Sequence, residues 1–336
     1  MALALARTSS TPPETPREAP ASAPLLTVER LSLSRGEKLI LDEVSFTLKR
    51  GATLGLVGES GAGKSTIALA LIGLLQKPQV GLEGRMALDG SANLVDATEK
   101  DWLKLRGRRV SMIFQDASSA LNPCFTVGSQ LMSPLRRLLG MATKDARSRA
   151  IELLESVGLN DAASRLDAYP HQLSGGMQQR VMIAIALATN PELLLADEPT
   201  SALDVTIQAQ IVRLILDETQ KRGASCIFVL HDLALASQAC DEIVVLYGGQ
   251  VMEAGPSDVL LAEPLHPYTL GLKACVLELD TEELTPLPSG APSFASRTPG
   301  CRFAPRCGNA LAKCVDEKPP LETVRGRKLA CWNPAA

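Results

Sequence analysis

Three things are scarce in this chain of 336 residues, and each absence removes a class of function. Basic charge is not in excess: 34 Lys and Arg stand against 37 Asp and Glu, a net charge of −3, with no basic block of the kind that tracks a phosphate backbone. Nucleic acid is therefore not an expected partner. Long hydrophobic runs are missing too. No apolar stretch approaches the roughly 18 to 20 residues that cross a bilayer, and Met1 to Arg7 lacks the apolar core, about 7 to 15 residues long, of a signal peptide. The chain is expected to stay in the cytosol and to meet a membrane only by docking on a membrane protein. The third absence is of paired C-x2-C knuckles, although there are eight cysteines. Cys124, Cys226, Cys240 and Cys275 are scattered through apolar stretches and read as small core hydrophobes in a reducing compartment. Cys301, Cys307, Cys314 and Cys331 crowd the end of the chain and need another explanation.

What is present starts with hydrophobic residues at 46% of the chain, enough for real cores over roughly two to three domains. The decisive stretch is Gly58-Glu59-Ser60-Gly61-Ala62-Gly63-Lys64-Ser65-Thr66. It follows the apolar run Leu54 to Val57 and opens the amphipathic run Ile67 to Leu75, so it reads strand, glycine loop, helix. Glycines let successive backbone N–H groups turn inward around phosphate oxygens, and the helix N-terminus adds a positive dipole end. In that setting Lys64 reaches the β- and γ-phosphates and Ser65 ligates Mg²⁺. A nucleoside triphosphate is the expected ligand.

Around this loop the chain divides by composition. Residues 1–24 are rich in Pro, Ser, Thr and Ala and read as a disordered lead. Leu26 to Leu33, Leu39 to Leu48 and Gly84 to Leu88 alternate as strands of a small antiparallel sheet. Arg109 to Phe114 is a short buried strand delivering Gln115, and residues 116–172 read as a mostly helical insert. Leu193 to Ala196 is a continuous apolar run, as in a central parallel strand, ending in Asp197 and Glu198. Strand Cys226 to Leu230 delivers His231, and Ile243 to Glu253 reads as a closing hairpin. There is no internal repeat.

Asp197 and Glu198 turn a phosphate cradle into a catalyst. One carboxylate orients Mg²⁺ through its water shell; the other polarises a water for in-line attack on the γ-phosphorus. Twenty-three residues before Asp197 begins Ser174-Gly175-Gly176-Met177-Gln178, which follows Leu173 and caps a helix with free N–H groups and little side-chain bulk. That makes a second phosphate site.

On these residues the sequence resembles the nucleotide-binding subunits of ATP-binding-cassette (ABC) transporters, over about Leu26 to Glu253. Leu173 to Gln178 is similar to the family's signature. The resemblance implies roles for Gln115 as the Q-loop glutamine, Asp204 in the D-loop and His231 as the switch histidine. It implies that Ser174, Gly175, Gly176 and Gln178 act on ATP held by a second subunit paired head to tail. Mg²⁺ falls to Ser65, Gln115 and Asp197, and catalysis to Glu198, His231 and Gln115. One departure is visible: where the family places an adenine-stacking aromatic, this chain has Arg35. A guanidinium plane can stack on a base, so weaker or less base-selective binding is expected.

Within the family, Phe114-Gln115-Asp116, Tyr169 to Gln172, Leu265-His266-Pro267-Tyr268-Thr269 and the run Cys301 to Cys307 resemble the D-type ATPases of oligopeptide and dipeptide importers. The expected fold is α/β: a P-loop nucleoside-triphosphatase core with an antiparallel β subdomain and a helical signature subdomain. The nucleotide-binding domain spans residues 25–255, with the helical part at about 116–190. Residues 256–336 form a cysteine-rich extension. Its spacing, C-x5-C-x6-C-x16-C, suits an iron–sulfur cluster better than zinc, and seven Arg and Lys against three acids between Cys301 and Cys331 would help stabilise an anionic 4Fe-4S group. The resembling subunits carry a cluster there, which puts iron–sulfur first, zinc second and no metal third, with structural stapling as the role. The implied protein is an ATPase at the cytoplasmic face of the inner membrane, driving import of peptides or related solutes. Its implied partners are an F-type ATPase or a second copy, two permease subunits and, indirectly, an extracytoplasmic binding protein. A soluble ABC ATPase acting on ribosomes or DNA is the alternative from another class, and a regulatory subunit that binds ATP without turnover is a third.

Overall fold

The computed structural model describes residues 23–78, 80–200, 205–275 and 299–335. Among the described residues, eleven strands build two sheets. β1 (Leu26–Arg35) pairs antiparallel with β2 (Lys38–Leu48) on one side and with β4 (Gly81–Leu88) on the other, giving the small antiparallel sheet expected. Its hydrophobic residues alternate, and Val28, Leu31, Leu33 and Leu41 are fully or almost fully buried on one face.

The larger sheet has the order β10-β11-β9-β8-β3-β7-β6-β5. Its centre is parallel: β3 (Thr53–Val57) lies between β7 (Ser225–Leu230) and β8 (Glu242–Tyr247), and β6 (Leu193–Asp197) lies between β7 and β5 (Val110–Ile113). These strands are apolar on both faces. Leu194, Ala196, Phe228 and Val245 join one core cluster, while Leu193, Leu195, Ile227 and Val244 join the other, so successive residues serve opposite sides. Such a strand cannot show the alternation of a half-exposed one, which is why it reads as a plain apolar run.

Residues 116–190 are mostly helical, with the longer helices at Val127–Leu139, Thr143–Ser156 and Gly175–Leu187. The last of these packs on β5, joining the insert to the sheet. The hairpin β8–β9 (Gln250–Pro256) forms as read, but it is not the sheet's edge. β11 (Arg327–Leu329) pairs with β9 through Lys328 and Leu329, and β10 (Glu322–Val324) closes on β11. Nothing in the sequence marks these short strands. A buried ion pair fastens the join: Glu253 on β9 meets Arg327 Nη1 at 3.3 Å and also accepts the backbone N–H groups of Leu265 and His266. No described helix is long and apolar enough to cross a membrane. The proposed lead at 1–24 lies outside the described residues except for 23 and 24.

Candidate active site

The C-terminal ends of the parallel strands line one edge of the larger sheet, where open α/β sheets place their ligands. β3 ends at Val57, and residues 58–63 turn into the helix Lys64–Leu71. Gly58, Gly61 and Gly63 have φ of +156°, +81° and +98°, conformations that favour glycine. Space demands it as well. A Cβ on Gly58 would sit 2.1 Å from the Leu246 carbonyl oxygen, and one on Gly63 would sit 2.6 Å from Leu41 Cδ2. Glu59, Ser60 and Ala62 complete the turn, with the Ala62 N–H donating to Glu59 O at 3.1 Å and Ala62 O accepting from Gly249 N. Thr66 is partly exposed in the helix's first turn.

Lys64 is almost fully buried and bends back on the loop, its Nζ donating to the carbonyls of Gly58 and Glu59 at 2.7 and 3.0 Å. Burial holds its pKa below the ordinary lysine value, opposed by the carboxylates of Glu198, Asp197 and Glu59. Ser65 Oγ donates to Asp197 Oδ1 at 2.8 Å. Asp197 is buried at the end of β6; desolvation raises its pKa, the Ser65 bond lowers it and the adjacent Glu198 raises it further. Glu198 takes a positive φ of +41°, rare for a side-chain-bearing residue, and anchors its N–H on Val229 O. That kink carries its carboxylate to Gln115 Nε2, which donates to it at 2.8 Å from the end of β5. Lys64, Ser65, Asp197, Glu198 and Gln115 are thus brought together from three strand ends. His231 stands exposed just beyond β7, the strand next to β6.

Ser174 caps the helix Gly175–Leu187, its hydroxyl accepting from Met177 N–H at 3.4 Å. Gly175 and Gly176 face open space: a Cβ on either meets nothing within 4 Å. Gln178 turns inward, donating to Pro170 O and Leu173 O of its own loop. Its neighbour Gln179, which the sequence does not single out, is buried and donates to Pro199 O at 2.7 Å, tying the signature helix to the residue after Glu198. Arg35 is exposed at the tip of the β1–β2 hairpin, whose Leu41 packs on Gly63. Asp204 lies outside the described residues.

The "ABC transporter" family profile matches residues 41–201, and "Oligopeptide/dipeptide transporter, C-terminal region" matches 252–314. The chain is 44% identical over 317 residues to the dipeptide transport ATP-binding protein DppD of Escherichia coli K12, covering 92% of this chain and 97% of that protein. It belongs to the ABC transporter ATPases. The oligopeptide transport ATP-binding protein AppD of Bacillus subtilis 168 is 47% identical over 300 residues, covering 87% of this chain and 90% of its own length. Among solved structures, this ABC ATPase resembles the dimeric post-hydrolysis state of the ATP-binding cassette MJ0796 bound to ADP and Pi, with a TM-score of 0.60, 28% identity and coverage of 69% and 98%. It also resembles cbiO1 of Clostridium perfringens, part of the cbiONQ complex, with a TM-score of 0.63, 27% identity and coverage of 71% and 91%.

The ABC ATPase also carries its four tail cysteines into one small pocket, lined by Cys301, Cys307, Cys314 and Cys331 with His266 and Phe303. No group of three or more His, Cys, Asp or Glu side chains among the described residues is arranged to hold a metal ion. Backbone N–H groups nevertheless point at the sulfurs: those of Phe303 and Ala304 at Cys301, Asn309 at Cys307, Asn333 at Cys331, and Leu311 at Cys314 at 3.4 Å. Burial raises the Cys301 and Cys307 thiols above the ordinary range and pushes Cys331 up to about 11. His266 caps the helix Pro267–Ala274 through Nδ1, and burial holds its pKa at about 3, so it is neutral.

Proposed function

We propose that this chain is the ATP-binding and hydrolysing subunit of an importer for peptides or related solutes. The observation that carries it is the pair of contacts Ser65–Asp197 and Glu198–Gln115 beside the buried Lys64, read as a metal side and a water side of one site. Supporting it, the relatives above are named as peptide-transport ATP-binding proteins.

Hard oxygen donors on Ser65, Gln115 and Asp197 suit Mg²⁺, which when bound neutralises charge building on the phosphates. Lys64 leaves the loop carbonyls for the β- and γ-phosphates, and loop N–H groups from Gly58 to Thr66 cradle them. Glu198 accepts the proton of the attacking water, Gln115 fixes that carboxylate, and His231 donates to a γ-phosphate oxygen. Arg35 stacks on the base. Ser174, Gly175, Gly176 and Gln178 complete the site on a second subunit, an F-type partner or another copy, with Asp204 crossing between them. Gln178 would have to release its own carbonyls to do so.

Closure of that pair passes to two permease subunits through the groove beside Gln115, where Phe114 and Phe125 are 39% and 53% exposed near Leu121, Pro134 and Met182. An extracytoplasmic binding protein supplies the solute, and the subunit sits peripherally on the cytoplasmic face of the inner membrane. An iron–sulfur cluster, if bound, would be held by Cys301, Cys307, Cys314 and Cys331 and would staple the extension together.

The test is ATP turnover by the subunit assembled with its co-purifying permeases. Turnover abolished by Glu198→Gln with ATP binding retained is expected; no turnover in the unaltered protein would favour a subunit that only binds ATP. Elemental analysis for iron after anaerobic purification checks the cluster.

A further inference from the structure

Two of the chain's three tyrosines meet at the junction of tail and core. Tyr247, Tyr268 and Phe303 form an aromatic box with ring centroids 4.8 to 5.2 Å apart. Into it reaches Arg306, the residue before Cys307, with a side chain only 8% exposed. Its two terminal nitrogens donate to the two carboxylate oxygens of Glu59 at 2.7 and 3.0 Å, and Nη1 also reaches Tyr247 Oη at 3.1 Å. From the other side Tyr268 Oη accepts the Glu59 backbone N–H at 2.9 Å. The second residue of the phosphate loop is thereby held at backbone and side chain by groups 209 and 247 positions away. Arg302, next to Cys301, donates to the carbonyls of Gly248 and Leu39, so both ends of the Cys301–Cys307 segment grip the nucleotide domain.

We propose that Arg306 and Tyr268 clasp Glu59 so that the packing of the four-cysteine pocket sets the affinity of the glycine loop for ATP. This rests on the reading of Gly58 to Thr66 as the phosphate site. Glu59 is an anion in a loop that must receive a highly charged triphosphate. The bidentate guanidinium cancels that charge and fixes its direction. Without Arg306 the carboxylate is free to repel the phosphates and to compete for Lys64, whose Nζ already rests on Glu59 O. Any loosening between Cys301 and Cys307 moves Arg306 directly, because only one peptide bond separates it from Cys307. Coupling of this kind is reciprocal, so ATP must in turn tighten the pocket.

Arg306 and Tyr268 are positioning residues, and the test follows the charge. Binding of a fluorescent ATP analogue to the full chain is measured without turnover. Arg306→Met is expected to weaken it about tenfold, within the usual range of intramolecular coupling. The double variant Glu59→Gln with Arg306→Met should recover most of that loss, since no uncompensated carboxylate remains. A merely structural role predicts a double variant as weak as the single one or weaker, and that result overturns the clasp. In the reciprocal arm, mass spectrometry follows backbone hydrogen exchange across Cys301 to Cys307 in the full chain. ATP should slow it several-fold in the unaltered protein but not in Arg306→Met; equal protection in both overturns the coupling. Should Arg306→Met fail to fold, Tyr268→Phe and Arg306→Lys carry the same two measurements, with about threefold effects expected and unchanged binding overturning the proposal. Lys64→Ala separates the premises: if it leaves analogue binding intact, the glycine loop is not the phosphate site, whatever the Arg306 variants do.

Discussion

Gly58 and Gly63 in one loop, and Gly175 and Gly176 at the head of another helix, are the same residue serving two proposed phosphate sites, yet their surroundings differ completely. The first pair is walled in by Leu246 O and Leu41 Cδ2 and has positive φ; the second meets nothing within 4 Å. The loop glycines answer to the fold of this chain. Gly175 and Gly176 answer to nothing described within it, which the proposed contact with another subunit's phosphates requires. An open glycine in a helix's first turn is a cost in backbone entropy unless something outside repays it.

This contrast can be broken by substitution. Gly58→Ala should have the largest effect, because its Cβ would overlap a backbone carbonyl that cannot move aside. A loss of roughly 3 kcal/mol or more is expected, together with nucleotide binding, read by thermal unfolding and analogue titration. Gly176→Ala should leave unfolding within about 0.5 kcal/mol of the unaltered protein and analogue binding to the single subunit intact, while turnover falls about a hundredfold. Equal destabilisation by the two changes would erase the distinction.

Acid offers a second probe, because the loop side is backed by the neutral, buried His266 whose pKa is about 3. A folded value below the usual 6.5 contributes stability above pH 6.5 and loses it as pH falls toward 3. The expected loss is about 1.4 kcal/mol per pH unit, largely removed in His266→Asn, which keeps a helix-capping side chain. Hydrogen exchange should show the Glu59 and Tyr268 amides opening before those of the signature helix. For Ser174→Ala, loss of the cap on Met177 should cost about 1 kcal/mol in helix protection.

Local patterns made the strand–glycine loop–helix turn, the central strands, the helical insert and the helix begun by Gly175 and Gly176 legible in advance, because each is decided by residues near in sequence. Ser65 with Asp197 and Gln115 with Glu198 were legible only through the family resemblance; the structure supplies their contacts across 132 and 83 positions. Gln179 on Pro199, the Arg306–Glu59 clasp and the β11–β9 join had no signal at all. A glutamine in a helix or an arginine beside a cysteine has no period that reveals its partner hundreds of positions away.

The join of β11 to β9 bears on how the protein is made. Residues 327–329 leave the ribosome after every other strand of the sheet, and Ala335 adds a late bond from its N–H to Leu265 O. Until they arrive, β9 presents a bare edge and Glu253 a buried carboxylate without its arginine. A chain stopped before residue 327 would carry both faults at once. The last strands therefore cover the edge of β9 and neutralise the Glu253 carboxylate in one step.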